Sequence, residues 1–284
     1  MRSIGRLACA MVSASAFAFS ADGAAAAANA PPVPALPEFT YADLVDLADS
    51  AQLVARARLR KLVRVENARA PGLRPGQGRF YVQAETVALL TGAAPLGEAL
   101  AYLVDLPLDA KGKPPKLKKL EVLLFARPVA DRPGEIQLVA ADAQLLWTQE
   151  SEARLRNILG GLASSDAPGR VAGVREIIHV PGNLAGEGET QIFLQTRDGS
   201  AASITVTHRP GMPPAWGASF TELVANVGRP PARGTLEWYR LACFLPNGLP
   251  RDANLSESPE ARTKAVADYR LVLGELGVCS RNRR

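Results

Sequence analysis

The 284-residue chain is 47% hydrophobic and carries a formal charge of +5. That length suits one large domain or two ordinary ones, and the charge is too mild to argue by itself for nucleic acid or an anionic membrane as partner. Glycine and proline are plentiful but scattered, which excludes a low-complexity chain, and the 26 arginines against 7 lysines fit a GC-rich coding bias.

Residues 1–28 read as a signal peptide. Arg2 and Arg6 form a positive n-region, Leu7 to Ser20 an apolar h-region, and the small residues after it allow cleavage behind Ala26 or Ala28. An uncleaved anchor and a lipoprotein at Cys9 are the alternatives; Arg6 stands where a lipobox wants an aliphatic residue. No other apolar run reaches about 18 residues, so no transmembrane segment is expected after signal removal. The mature chain, at about +4 without Arg2, Arg6 and Asp22, keeps Cys243 and Cys279. In the oxidising compartment that export implies, these are expected to form one disulfide; free or metal-binding thiols are the alternative.

A proline-rich spacer fills 29–38. Thr40 then caps a short helix, YADLVDLADS, with Asp43 in the capping-box position. Asp43, Asp46 and Asp49 recur on this helix, as a solvated face or a metal-binding one. Strand-like segments follow. Gln52 to Val65 alternates, with a bulge expected near Lys61. Arg79 to Leu90 and Leu100 to Leu108 each present one apolar face, and Leu120 to Ala126 is apolar throughout, as in a central strand. Glu135 to Trp147 supplies one long strand or two short ones. From Thr148 an amphipathic helix carries Leu155, Ile158, Leu159 and Leu162. Val174 to Val180 is a strand, and 190–208 a hairpin turned by Asp198-Gly199 in a type I′ turn. SFTE at Ser219 to Glu222 caps a helix, TELVANV. The last two helices are Thr235 to Leu245 and one capped by Ser258 and Pro259, stopped by Gly277, with Val266, Tyr269, Leu273 and Leu276 as its stripe. The terminal SRNRR reads as a solvated tail.

The stretch HVPGNLAGEGETQIFL holds His179, one of two histidines. Its glycines match neither GxGxxG nor GxxxxGK[ST], a strand follows them, and Glu187 and Glu189 would repel a phosphate. A metal site would join His179, His208, Glu187 and Glu189; as a loop, Gly182, Asn183, Gly186 and Gly188 are candidate ligand contacts. No nucleophile elbow or cofactor motif exists, and a Ser-His-Asp triad has no support. Arg56, Arg58 and Arg60 project from one strand face, and Lys111, Lys113, Lys116, Lys118 and Lys119 lie in one loop. Together they form a polyanion-binding patch or, separately, a charged edge and a solvated loop. Aromatic residues for base stacking are scarce nearby, so nucleic acid is not expected as partner.

The strand pattern of the first part loosely resembles the oligonucleotide/oligosaccharide-binding barrel and its netrin-like relatives, although DAKGKPPKLKK stands where that barrel has a helix. HVPGNLAGEGETQIFL, the hairpin after it, LEWYRLACFLP and DYRLVLGELGVC resemble uncharacterised exported proteins of GC-rich alphaproteobacteria. That resemblance implies export and architecture and carries no activity. The expected fold is α+β: a small β-barrel or sandwich at 39–147, then an α+β domain at 148–284 with a β-hairpin and disulfide-linked helices. The expected function is a periplasmic or secreted, non-enzymatic binding or envelope-interaction protein without a cofactor, its partner an envelope protein or a small ligand. The alternatives are a hydrolase or metal-dependent enzyme at His179, His208, Glu187 and Glu189, and polyanion binding.

Overall fold

A computed structural model describes residues 38–93, 96–221 and 229–283. The expected signal peptide, nearly all of the spacer, and the helix TELVANV beyond Thr221 lie outside the described residues. Helix α1 (Tyr41–Ser50) starts at Thr40, whose hydroxyl accepts the Asp43 N–H while the Asp43 carboxylate accepts the Thr40 N–H. Its Leu44, Val45 and Leu47 are buried.

The first sheet is built from β1 (Leu53–Arg64), β2 (Gln77–Gly92), β3 (Ala99–Pro107), β4 (Glu121–Pro128), β5 (Ile136–Leu138) and β6 (Gln144–Leu146). Its order is β3-β2-β1-β4-β5, with β6 also on β4, and the named pairs are antiparallel. Leu53, Ala55, Ala57 and Leu59 of β1 point into the core. The register slips between Leu59 and Lys61, where the bulge is expected. That extra residue turns Leu62 inward opposite Val82 and Val63 outward opposite Tyr81.

The sheet does not close into a barrel. It curls until Ala101 donates to the Gly134 carbonyl at 2.8 Å and Asp105 to the Ala141 carbonyl at 2.7 Å. A single parallel bridge, Ala101 to Glu135, joins the edges. β5 is three residues long, so β3 finds no strand to form a continuous ladder.

Helix α2 (Gln149–Ala163) follows, buried at Leu155 and Ile158. The second sheet is an antiparallel meander, β7 (Val171–Pro181), β8 (Gly188–Thr196), β9 (Ser203–His208) and β10 (Ala215–Ser219), in the order β10-β9-β8-β7. Its 190–208 hairpin is present, but the turn is longer than the expected two residues: Asp198 accepts from the Ser200 backbone and hydroxyl, and Thr196 donates to the Ser200 carbonyl. The outer edge of β7 is covered by 253–256, through Ile177 to Ala253 at 2.7 Å and Leu255 to Ile177 at 2.9 Å. Helices α3 (Leu236–Ala242) and α4 (Pro259–Leu276) complete the α+β fold, and the Cys243–Cys279 disulfide joins their ends. The described residues fall within one compact unit, and both sheets contribute to one apolar cluster.

The aspartates of α1 are neither a solvated face nor a metal face. Asp43 is 1% exposed and accepts the backbone N–H groups of Asn282 and Arg283. Asp46 takes Arg281 and the Tyr239 hydroxyl, and Asp49 takes Arg170 and Arg240. Burial pushes the Asp49 carboxyl up, but the hydrogen bonds from Arg170 and Arg240 outweigh it and hold the group below its ordinary range. The expected solvated tail is therefore docked: Ser280 O accepts from Thr40, Arg281 pairs with Asp46 and Arg283 with Asp142. Carboxylates three residues apart on the helix form a row of acceptors, of which Asp46 takes the Arg281 side chain of the tail and Asp43 takes backbone N–H groups of the tail.

Candidate functional site

Strand alternation puts His179, Gly188, Thr190 and His208 on the same face of the second sheet as Ile177, Ile192 and Val206. Helix α4 packs on that face and contributes Asp268. The His179 Nδ1 lies 2.8 Å from the Thr190 hydroxyl, which donates to Asp268 Oδ2. The His208 Nε2 lies 2.9 and 3.0 Å from the two Asp268 oxygens. Lys264 Nζ is 3.9 Å from the same carboxylate. The distances fit a proton arrangement in which His179 Nδ1–H donates to Thr190, and the Thr190 hydroxyl and His208 Nε2–H donate to Asp268. Burial drives the His179 pKa down; Asp268 opposes this, while His208 and Lys264 add to it. A Cβ at residue 188 would meet the His179 ring at 2.9 Å, so glycine is what lets that ring lie against β8.

This cluster works as a clamp between α4 and the sheet. Thr190 gives its proton to a carboxylate instead of an imidazole, and the Ser256 hydroxyl is occupied by the His179 backbone N–H at 2.9 Å. The two histidines expected to share a metal do meet, with ring centroids 6.1 Å apart, but the two glutamates do not join them. Glu187 accepts from the Leu184 N–H at 3.2 Å and lies over Gly182, and Glu189 points to the other face of β8, toward Gln191. Among the described residues, no group of three or more His, Cys, Asp or Glu has the arrangement to hold a metal ion. Gly182, Asn183 and Gly186 lie in the β7–β8 turn, closed by Gly182 N–H to Glu187 O at 2.9 Å, and Gly188 opens β8.

Sequence reasoning missed Asp268 and Thr190. The signal was present: Ala261, Ala265, Asp268, Tyr269, Val272 and Leu276 form the buried stripe of α4, which keeps the expected Tyr269 and Leu276 and leaves Val266 and Leu273 half-buried, and an acidic residue on an apolar stripe needs a buried partner.

The arginines expected in a basic patch are each held by a carboxylate. Arg56 binds Glu121 at 2.5 Å and Glu152 at 3.3 Å, with its guanidinium 3.7 Å over the Trp147 ring. Arg58 binds Glu121 at 2.6 Å, and Arg60 pairs with Glu85. Burial raises the Glu121 carboxyl, but the hydrogen bonds from Arg58 and Arg56 outweigh it. Arg56 thereby fastens α2 to β1. Lys116, Lys118 and Lys119 are exposed on the β3–β4 connection.

The outward face of the first sheet is different in character. Val63, Tyr81 and Leu103 are 44%, 38% and 49% exposed, and the register sets them side by side across β1, β2 and β3. Arg79 and Asp105 beside them neutralise each other at 2.7 Å, as Arg132 and Glu135 do at 3.2 Å. A cleft of about 620 Å³ runs along the seam between β3 and residues 129–141, lined by Tyr81, Leu103, Asp105, Arg132 and Gln137 among others. Ala101 and Asp105 send their N–H groups across this seam. Leu103, midway between them, faces the same way, and no described backbone hydrogen bond crosses the seam from it. Behind this face, inside the core, the Tyr102 hydroxyl donates to Gln144 Oε1 at 2.6 Å, and Gln144 Nε2 has no partner.

The sequence matches no protein-family model and no curated protein.

Proposed function

We propose that the mature chain is an exported, non-enzymatic binding protein that takes an extended, uncharged polypeptide segment on the outward face of β1, β2 and β3. The observation that carries this reading is the exposed row Val63, Tyr81 and Leu103 beside the seam cleft. Adjacent exposed apolar side chains on a sheet cost little only when a partner covers them. The self-paired charges around the row argue against a charged ligand. The backbone of Leu103, turned toward the cleft, favours a ligand with its own N–H and C=O groups. The partly open six-stranded sheet loosely resembles the five-stranded oligonucleotide/oligosaccharide-binding barrel, which presents its strand 2 and 3 face to ligands. The disulfide and the n-region and h-region at the start of the chain support a periplasmic or secreted location.

The test is a photo-crosslinking residue at position 81, with position 278, 80% exposed, as control, in protein exported by its own host. The expected result is a discrete polypeptide adduct at 81 that Leu103→Asp abolishes. Equal labelling at 81 and 278, or an adduct indifferent to Leu103→Asp, would contradict the reading.

A further inference from the structure

Both cysteines of the disulfide lie at helix C-terminal ends, but they differ in their charged neighbours. Cys243 is the C-cap of α3, and its N–H reaches back to the Tyr239 carbonyl at 3.2 Å. The last carbonyls of a helix disfavour a thiolate. Cys279 follows Gly277, the residue that stops α4, and is flanked by exposed Val278 and Ser280. The Arg281 guanidinium lies 3.4 Å from its sulfur, and a neighbouring guanidinium favours a thiolate. Arg281 is itself fixed by Asp46 at 2.7 Å.

Cys279 is also the last anchor before the docked tail. Beyond it, Ser280 accepts from Thr40, Asn282 and Arg283 donate backbone N–H groups to Asp43, and the Asn282 side chain reaches the Glu38 carbonyl at 2.8 Å. These contacts hold the start of α1 and the residues just before it.

We propose that Cys243–Cys279 is a thiol–disulfide exchange site, opened by attack of a small thiolate on the Cys243 sulfur with Cys279 as leaving group, and that opening it releases the tail from α1. The attacking sulfur forms a bond to Cys243 Sγ as the S–S bond breaks, and the electron pair leaves on Cys279 Sγ beside Arg281. A second thiolate then attacks the mixed disulfide on its non-protein sulfur. This frees Cys243 as a thiolate and leaves the two small thiols joined as their disulfide. The protein gains two electrons, and both of its thiolates take protons from solvent. The direction follows the rule that the better-stabilised thiolate departs. The inference does not rest on the ligand face, which lies on the first sheet, whereas the disulfide joins the ends of α3 and α4.

The experiment uses the mature oxidised protein with glutathione as the probe thiol, quenched by alkylation and mapped by mass spectrometry. The expected adduct is glutathione on Cys243 with alkylated Cys279. Arg281→Gln slows the reaction severalfold, and Arg281→Lys restores most of the rate. After full reduction the amides of Asn282 and Arg283 lose hydrogen-exchange protection while those of the two sheets keep it. Glutathione on Cys279, an Arg281→Gln rate equal to or above that of the unmodified chain, or a tail still protected after reduction would each overturn the proposal.

Discussion

Replacing Asp268 with alanine removes the acceptor of two buried donors at once. The Thr190 hydroxyl and His208 Nε2 both end on this carboxylate, which is 2% exposed. Hydrogen bonds to a charged group contribute about 1.5–3 kcal/mol each, and two of them are lost at once. The expected loss for Asp268→Ala is therefore about 3–6 kcal/mol, a large part of the roughly 5–15 kcal/mol that holds a typical domain together. Asp268→Asn keeps the volume and one acceptor but turns an amide N–H₂ toward groups that are themselves donors, for about 1–3 kcal/mol. Urea unfolding at pH 8 measures both, the midpoint falling at constant slope. Added to Asp268→Ala, His208→Phe costs less than it does alone, because the orphaned donor is gone. A loss below about 1 kcal/mol for Asp268→Ala would refute the clamp, since two unsatisfied buried donors cost more than that.

Further outcomes follow from the same geometry. His179 has a folded pKa below its ordinary 6.5, with burial the largest cause, so the unfolded chain binds its proton more readily. Its contribution is full above pH 6.5 and declines as the pH falls from there toward the folded value; His179→Gln flattens that part of the stability–pH curve. Asp49→Asn strips the buried Arg240 guanidinium of its charged partner and lowers stability by about 2–3 kcal/mol at pH 7, the partly exposed carboxylate discounting the full buried-pair cost. Because the Asp49 carboxyl is held below its ordinary 3.8, that contribution is present above this pH and is lost as the pH falls through the folded value. Tyr102→Phe with Gln144→Leu removes the buried hydroxyl–amide pair and the orphaned Nε2 together, and calorimetry is expected to show the double variant at least as stable as the unmodified chain, with Gln144→Leu alone below both.

Local chemistry was legible in the sequence. The Thr40 capping box, the bulge at Lys61, the uniformly apolar β4 and the Ser258–Pro259 helix start each depend on residues close together in the chain, and each is where the pattern puts it. What the pattern concealed depends on partners far away in sequence. The α1 aspartates look solvated until Arg240 and Arg281, some 190 and 235 residues on, are brought to them. The histidines face each other because β7, β8 and β9 are neighbours, yet their carboxylate comes from α4 and not from the adjacent loop. The strand arginines read as free charge because Glu121 and Glu152 lie on other elements. Barrel closure failed for a reason sequence periodicity does not carry: residues 129–141 hold only three residues of strand, so the β3 edge stays open at Leu103.

That open edge gives the most direct test of the ligand face. Amide hydrogen exchange at Leu103, compared between the free protein and the complex captured through position 81, reports whether a polypeptide backbone fills the seam. The account predicts that the Leu103 amide exchanges freely in the isolated protein and becomes strongly protected in the complex, while Ala101 and Asp105, already bonded across the seam, change little. Protection that appears instead at the 182–188 turn, with Leu103 unchanged, would contradict it.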